Sequence, residues 1–165
     1  MDRELVEGIS YGSALKEIDR LIYALDRRKF GIVEAPITSK NEYLNIYHIC
    51  KERGVKVSLH VPSPELVQKY PFLLHISSPN EIDQYVEYIT DFVEQIPLPE
   101  YVLVHFPMFT DEVGTIVDRE LDLYFTKQIH QIAKQHKFKL YFENVAIKDS
   151  LCMAKDYLPY MEHID

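Results

Sequence analysis

Short apolar runs alternate with longer stretches in which apolar residues recur at helical spacing, almost from one end of the chain to the other. A run over residues 4–10 closes at Tyr11-Gly12, and Leu15, Ile18, Leu21, Ile22 and Leu25 follow with a helical period. Gly31-Ile32-Val33-Glu34-Ala35 reads as a strand ended by Pro36. Leu44, Tyr47 and Cys50 then mark a second helix that stops at Gly54, a residue suited to the left-handed position after a helix. Residues 55–59 make the next strand. A long proline-interrupted connection over 61–77 follows, of a length that compact domains keep for functional or mobile loops. Ser78-Pro79-Asn80-Glu81 supplies an N-cap, a proline at the first helical position and a glutamate three residues after the cap. The helix it opens carries Ile82, Tyr85, Val86, Ile89, Phe92, Val93 and Ile96 on one stripe and is ended by Pro97 and Pro99. Tyr101–His105 is predicted as a strand, a helix is expected from about 117 to 135, and 138–142 as a further strand. A short helix over 151–158 and the approach to another strand over 161–165 complete the pattern.

Strands alternating with helices imply right-handed crossovers and a parallel sheet. No repeat, low-complexity tract or linker interrupts the alternation, so residues 1–165 read as one domain. With 165 residues, 47% of them hydrophobic, the chain has the material for one core rather than two. Gly8-Ile-Ser-Tyr-Gly12 has neither a dinucleotide-binding nor a phosphate-loop spacing. A net charge of −8 argues against a general nucleic-acid surface, which needs clustered lysine and arginine. No stretch has the length and apolarity of a membrane span, and Met1-Asp2-Arg3-Glu4 opens no signal peptide. Cys50 and Cys152 fall in helix-like segments without ligand spacing and are expected to be reduced, which points to the cytoplasm.

Three runs end in a residue of metal-ligating type: Val-Ser-Leu-His60-Val-Pro, Val-Leu-Val-His105-Phe-Pro and Leu-Tyr-Phe-Glu143-Asn144. The carboxyl ends of parallel strands are where α/β folds build their sites. Two histidines and a glutamate from successive strands have the donor chemistry to hold one divalent cation with a position left open, a set that suits zinc, with manganese, iron or cobalt as alternatives. A carboxylate ending an apolar strand must find a cation or hydrogen bonds, and a salt bridge from Glu143 to Lys148 is the structural alternative. For His60 and His105 the alternative is a strand-ending histidine bonded to backbone. Glu34 could bind substrate, engage a histidine nitrogen or face water. His48, His130 and His136 are expected to be solvated on helices. The tyrosines, scattered over helices and loops, read as packing and rim residues.

His60-Val-Pro, His105-Phe-Pro, Glu143-Asn144, the Val33-Glu34 strand ending and Leu74-His75-Ile-Ser-Ser-Pro79 together resemble the xylose isomerase-like TIM-barrel superfamily, which includes sugar isomerases and epimerases and endonuclease IV-type nucleases. The resemblance implies a partial, truncated TIM barrel of about five βα units with the start of a sixth, since a complete barrel needs about 250 residues. It implies His60, His105 and Glu143 as metal ligands, Glu143 also as the proton-moving carboxylate, and Glu34, His75 and Asn144 as substrate-binding residues. The nuclease branch usually has asparagine where His75 stands and glycine where Met108 stands, and this chain departs at both.

Three functions compete. The first is a metal-dependent sugar or sugar-phosphate isomerase or epimerase, incomplete as an isolated chain. The second is an endonuclease IV-like phosphodiesterase. The third is a non-catalytic split or truncated barrel that acts as a binding or assembly module, pairing with a second copy or with a chain that supplies the missing strands.

Overall fold

The computed structural model describes residues 7–37, 39–61, 78–105 and 119–143. Among the described residues five strands and four α-helices alternate: β1 (Gly8–Ser10), α1 (Ile18–Arg27), β2 (Ile32–Pro36), α2 (Lys40–Glu52), β3 (Lys56–Val61), α3 (Pro79–Glu94), β4 (Tyr101–His105), α4 (Arg119–His136) and β5 (Lys139–Glu143). The strands form one parallel sheet in the order β1-β2-β3-β4-β5. The order never reverses among the described strands, so they offer no switch point of the doubly wound kind. The predicted strands and helices over residues 119–143 fall in place within a residue or two. The helix expected over 151–158 and the approach to a further strand lie outside the described residues.

One face of the sheet is the core. Alternate residues Val33 and Ala35, Val57, Leu59 and Val61, and Val102 and Val104 are buried against helix residues that include Leu21, Ile46, Ile82, Ile89, Phe125 and Ile129. α2 lies on β2 and β3, and α3 packs against α4. The opposite alternation carries Ser10, Glu34, Ser58, His60, Tyr101, Leu103, Tyr141 and Glu143 and is largely polar. A period of two separates the packed face from the face that bears the chemistry.

The helices begin and end as their local chemistry dictates. Ser78 accepts from the Glu81 amide at the start of α3, and Ser39 caps α2 in the same way through the Glu42 amide. After α2, Gly54 sits at φ +69°, and the Gly54 and Val55 amides return to the Lys51 and Cys50 carbonyls. Two details differ from expectation. A wide helical turn at Tyr11–Leu15 and a left-handed Lys16 precede α1, which starts at Ile18. The buried stripe of α2 is Tyr43, Ile46 and Cys50 rather than Leu44, Tyr47 and Cys50. Ile46 at the centre fits a stripe of Tyr43, Ile46 and Cys50 as well as helical spacing allows, and Tyr43 adds a bond from its hydroxyl to the Pro97 carbonyl and an edge contact to Phe92.

At the amino-terminal edge of the sheet, Glu100 joins two strands. Its carboxylate accepts from Lys139 at 2.9 Å and lies 3.1 Å from Lys56 Nζ, and its amide bonds the Val57 carbonyl. Among the described residues no helix is long and apolar enough to cross a membrane.

Candidate functional site

The polar face gathers its chemistry towards the carboxyl ends of β2 to β5. Glu34 and Ser58 are paired in register, and Tyr101 stands level with Ser58 because the next residue, Val102, pairs with Leu59. His60 lies one step further along, beside Leu103. His105 and Glu143 are partners in the β4–β5 ladder at the carboxyl edge itself. The strand register therefore brings all three predicted ligand positions to one end of the sheet, on three successive strands.

His60 is the centre of the described contacts. Its Nδ1 lies 2.8 Å from Glu34 Oε1, and its Nε2 lies 2.9 Å from Glu143 Oε2. Flat strands two apart are separated by about 9.6 Å, so the His60–Glu143 contact spans the intervening β4. Glu143 keeps 41% of its side chain accessible, against 18% for Glu34, although the oxygen facing His60 is itself buried. The inner carboxylate is thus tied into the sheet, and the outer one is the more accessible of the two.

Electrostatics follow from this placement. Burial acts to lower the pKa of His60, and the hydrogen bond and charge of Glu34 with the charge of Glu143 outweigh it, so the net shift is upward. Tyr101 donates its hydroxyl hydrogen to Glu34 Oε2 at 3.3 Å. Burial first, and the neighbouring Glu34 charge with it, hold that phenol above its ordinary value against the lowering effect of the nearby Ser58 hydroxyl, so it stays a donor through the neutral range. Ser58 is wholly buried, and Tyr141 meets Tyr101 edge-on at 5.2 Å while remaining 51% exposed.

Of the residues singled out in the sequence, Glu34, His60 and Glu143 are brought into one connected group. His105 is placed by its backbone beside Glu143, and its side chain is outside the described part. His75 and Asn144, and Lys148 as the alternative partner of Glu143, also lie outside it. Glu34 engages the histidine nitrogen, one of the three roles open to it. His48 is exposed as expected, whereas His136 is only 17% accessible, with its Nε2 3.7 Å from Glu94. Tyr101 and Tyr141 were missed as site residues. The signal was available: Tyr141 precedes Glu143 by two residues, so the strand period puts both on one face.

An imidazole nitrogen and a carboxylate oxygen facing each other at 2.9 Å are the donor types that zinc, manganese, iron and cobalt accept. A cation there would take the place of the hydrogen that a protonated His60 ring sets between Nε2 and Glu143. Among the described residues no group of three His, Cys, Asp or Glu side chains converges on one point. Comparison with family models, with curated proteins and with solved structures gives no match to this chain.

Proposed function

We propose that this chain carries the metal-binding half of a sugar or sugar-phosphate isomerase or epimerase site, on the first five units of a (β/α)₈-type barrel. The observation that carries the reading is the 2.9 Å approach of His60 Nε2 and Glu143 Oε2, made from strands two apart, with His105 in register beside Glu143. The unreversed strand order supports the barrel part, because a barrel gathers successive strand ends round one axis.

His60, His105 and Glu143 would hold the cation, which supplies Lewis-acid polarisation of carbonyl and hydroxyl oxygens when bound. Glu143, the more accessible carboxylate, takes the proton from the carbon beside the carbonyl and returns it. Glu34 keeps His60 oriented, and His75 and Asn144 contact substrate hydroxyls. The net charge of −8 gives the phosphodiesterase alternative no support.

An assembly role has two observations of its own. Among the described residues β1 and β5 each pair on one side only, and the polar face holds the exposed ring of Tyr141. Unpaired edges favour association, with a second copy or a chain that completes the barrel.

The test is bound metal per chain, measured on protein purified without a metal-affinity tag. Near-stoichiometric zinc, manganese, iron or cobalt, lost in both His60→Ala and Glu143→Ala, is expected. Deuterium uptake from heavy water beside the carbonyl of aldose and ketose phosphates would then identify the reaction. No metal in the wild type after reconstitution with each of these ions would overturn the reading.

A further inference from the structure

The geometry points to Tyr101 as a positioning residue: acting through Glu34, it fixes the His60 ring so that Nδ1 keeps its hydrogen on Glu34 when the ring is neutral, and Nε2, on the Glu143 side, is the nitrogen left for a cation. The proposed metal site gives this arrangement its use, and so the inference rests on that reading for its consequence, though not for its test.

Three observations carry it. First, Glu34 is gripped at both oxygens by donors from two different strands, His60 Nδ1 on β3 and the Tyr101 hydroxyl on β4. A carboxylate held by one donor turns readily about its last torsion, which has broad minima. A second donor on the other oxygen removes that freedom. Second, the residue between them is small. Ser58 lies in register with Glu34 and level with Tyr101, is wholly buried and gives its hydroxyl hydrogen to the Val33 carbonyl, so the two larger side chains can meet over it. Tyr101 is braced in turn by the edge contact with Tyr141. Third, the two carboxylates facing His60 are unequal. Glu34 is 2.8 Å away and 18% accessible, whereas Glu143 is 2.9 Å away and 41% accessible. A neutral imidazole has one N–H, and the hydrogen bond made at one nitrogen fixes the role of the other. The fixed, better shielded acceptor takes the hydrogen, and Nε2 is left as the electron-pair donor.

The experiment has a metal-free arm and a metal arm. Long-range ¹H–¹⁵N correlation spectra of the metal-free protein, recorded at a pH where the His60 ring is neutral, report which nitrogen carries hydrogen. The wild type is expected to show a protonated Nδ1. Glu34→Ala should shift His60 towards the other tautomer or a mixture, Tyr101→Phe should give an intermediate spectrum, and Glu34→Gln, which keeps an acceptor, should restore much of the wild-type pattern. Zinc affinity, from competition with a chromophoric chelator, should fall about 10–100-fold in Glu34→Ala and by less in Tyr101→Phe. A role confined to packing would leave the tautomer untouched in Tyr101→Phe.

A wild-type ring protonated at Nε2 overturns the inference. So does a Tyr101→Phe protein with the wild-type spectrum and the wild-type zinc affinity. If zinc binds to no form but the tautomers behave as expected, the positioning pair stands and the metal reading falls.

Discussion

His60 keeps its positive charge to a higher pH than a free imidazole, because two carboxylates face it from either side. Its folded pKa is raised, so the charge contributes stability in full below the unfolded value of about 6.5, and that contribution fades as pH rises through the folded value. The urea midpoint of the wild type should therefore exceed that of His60→Ala by more near pH 5.5 than near pH 9, since the packing lost with the ring is the same at both. The opposite slope belongs to metal binding: proton and cation compete for Nε2, so zinc affinity should increase through the pH range in which His60 loses its proton. Calorimetric titrations at three pH values would check the sign. At this scale the sequence was informative where one residue type had few bland explanations. His60, His105 and Glu143 stood out as polar endings of apolar runs. Tyr101 did not, because a tyrosine in a strand is ordinary and its use depends on Glu34, distant in the chain and near only after the sheet has formed. The connection Glu34–His60–Glu143 was likewise invisible, since it depends on both outer strands pairing with the right register.

The elements were readable wherever a single local rule governs them. Gly54 is an instance: the notch after α2 needs a left-handed residue, and a Cβ there would meet nothing within 4 Å. Gly54→Ala should thus cost about 1 kcal/mol or slightly more through backbone strain alone, with no steric component, measurable as a shift in the denaturation midpoint. The cap at Ser78 belongs to the same class, and Ser78→Ala should cost about 1 kcal/mol. By contrast, Leu59→Ala empties a wholly buried position in the central strand and should cost about 2–5 kcal/mol. The rotation of the α2 stripe to Tyr43, Ile46 and Cys50 shows where local reading stops. Two neighbouring stripes, one through Leu44 and Tyr47 and one through Tyr43 and Ile46, satisfy the helical period, and the neighbouring Phe92 and Pro97 decide between them.

For the molecule as a whole, alternation of strand and helix sufficed to give the parallel sheet, but the order of its strands is a property of packing that periodicity cannot supply. The described sheet keeps its helical core on one face and its polar side chains on the other. β3 and β4 are flanked on both sides, whereas β1 is three residues long and paired only with β2. Amide exchange should therefore be slowest in β3 and β4 and fastest in β1, which peptide-resolved hydrogen–deuterium exchange would show directly. Glu100, tying Lys56 to Lys139 at the far edge, offers a control. Glu100→Gln should loosen the amino-terminal edge of β5 without altering the His60 tautomer or zinc affinity.

The contact of Glu143 with His60 across β4 has a kinetic side. A shift of β5 by one residue would turn Glu143 to the opposite face of the sheet, so the contact exists in only one alignment of the strands. Whatever binds His60 and Glu143 together therefore selects that alignment and rewards the last step of sheet assembly in proportion to its own concentration. During folding the same pair would act as a proofreader: chains that pair β5 wrongly gain nothing from the ligand and are left free to unpair and try again.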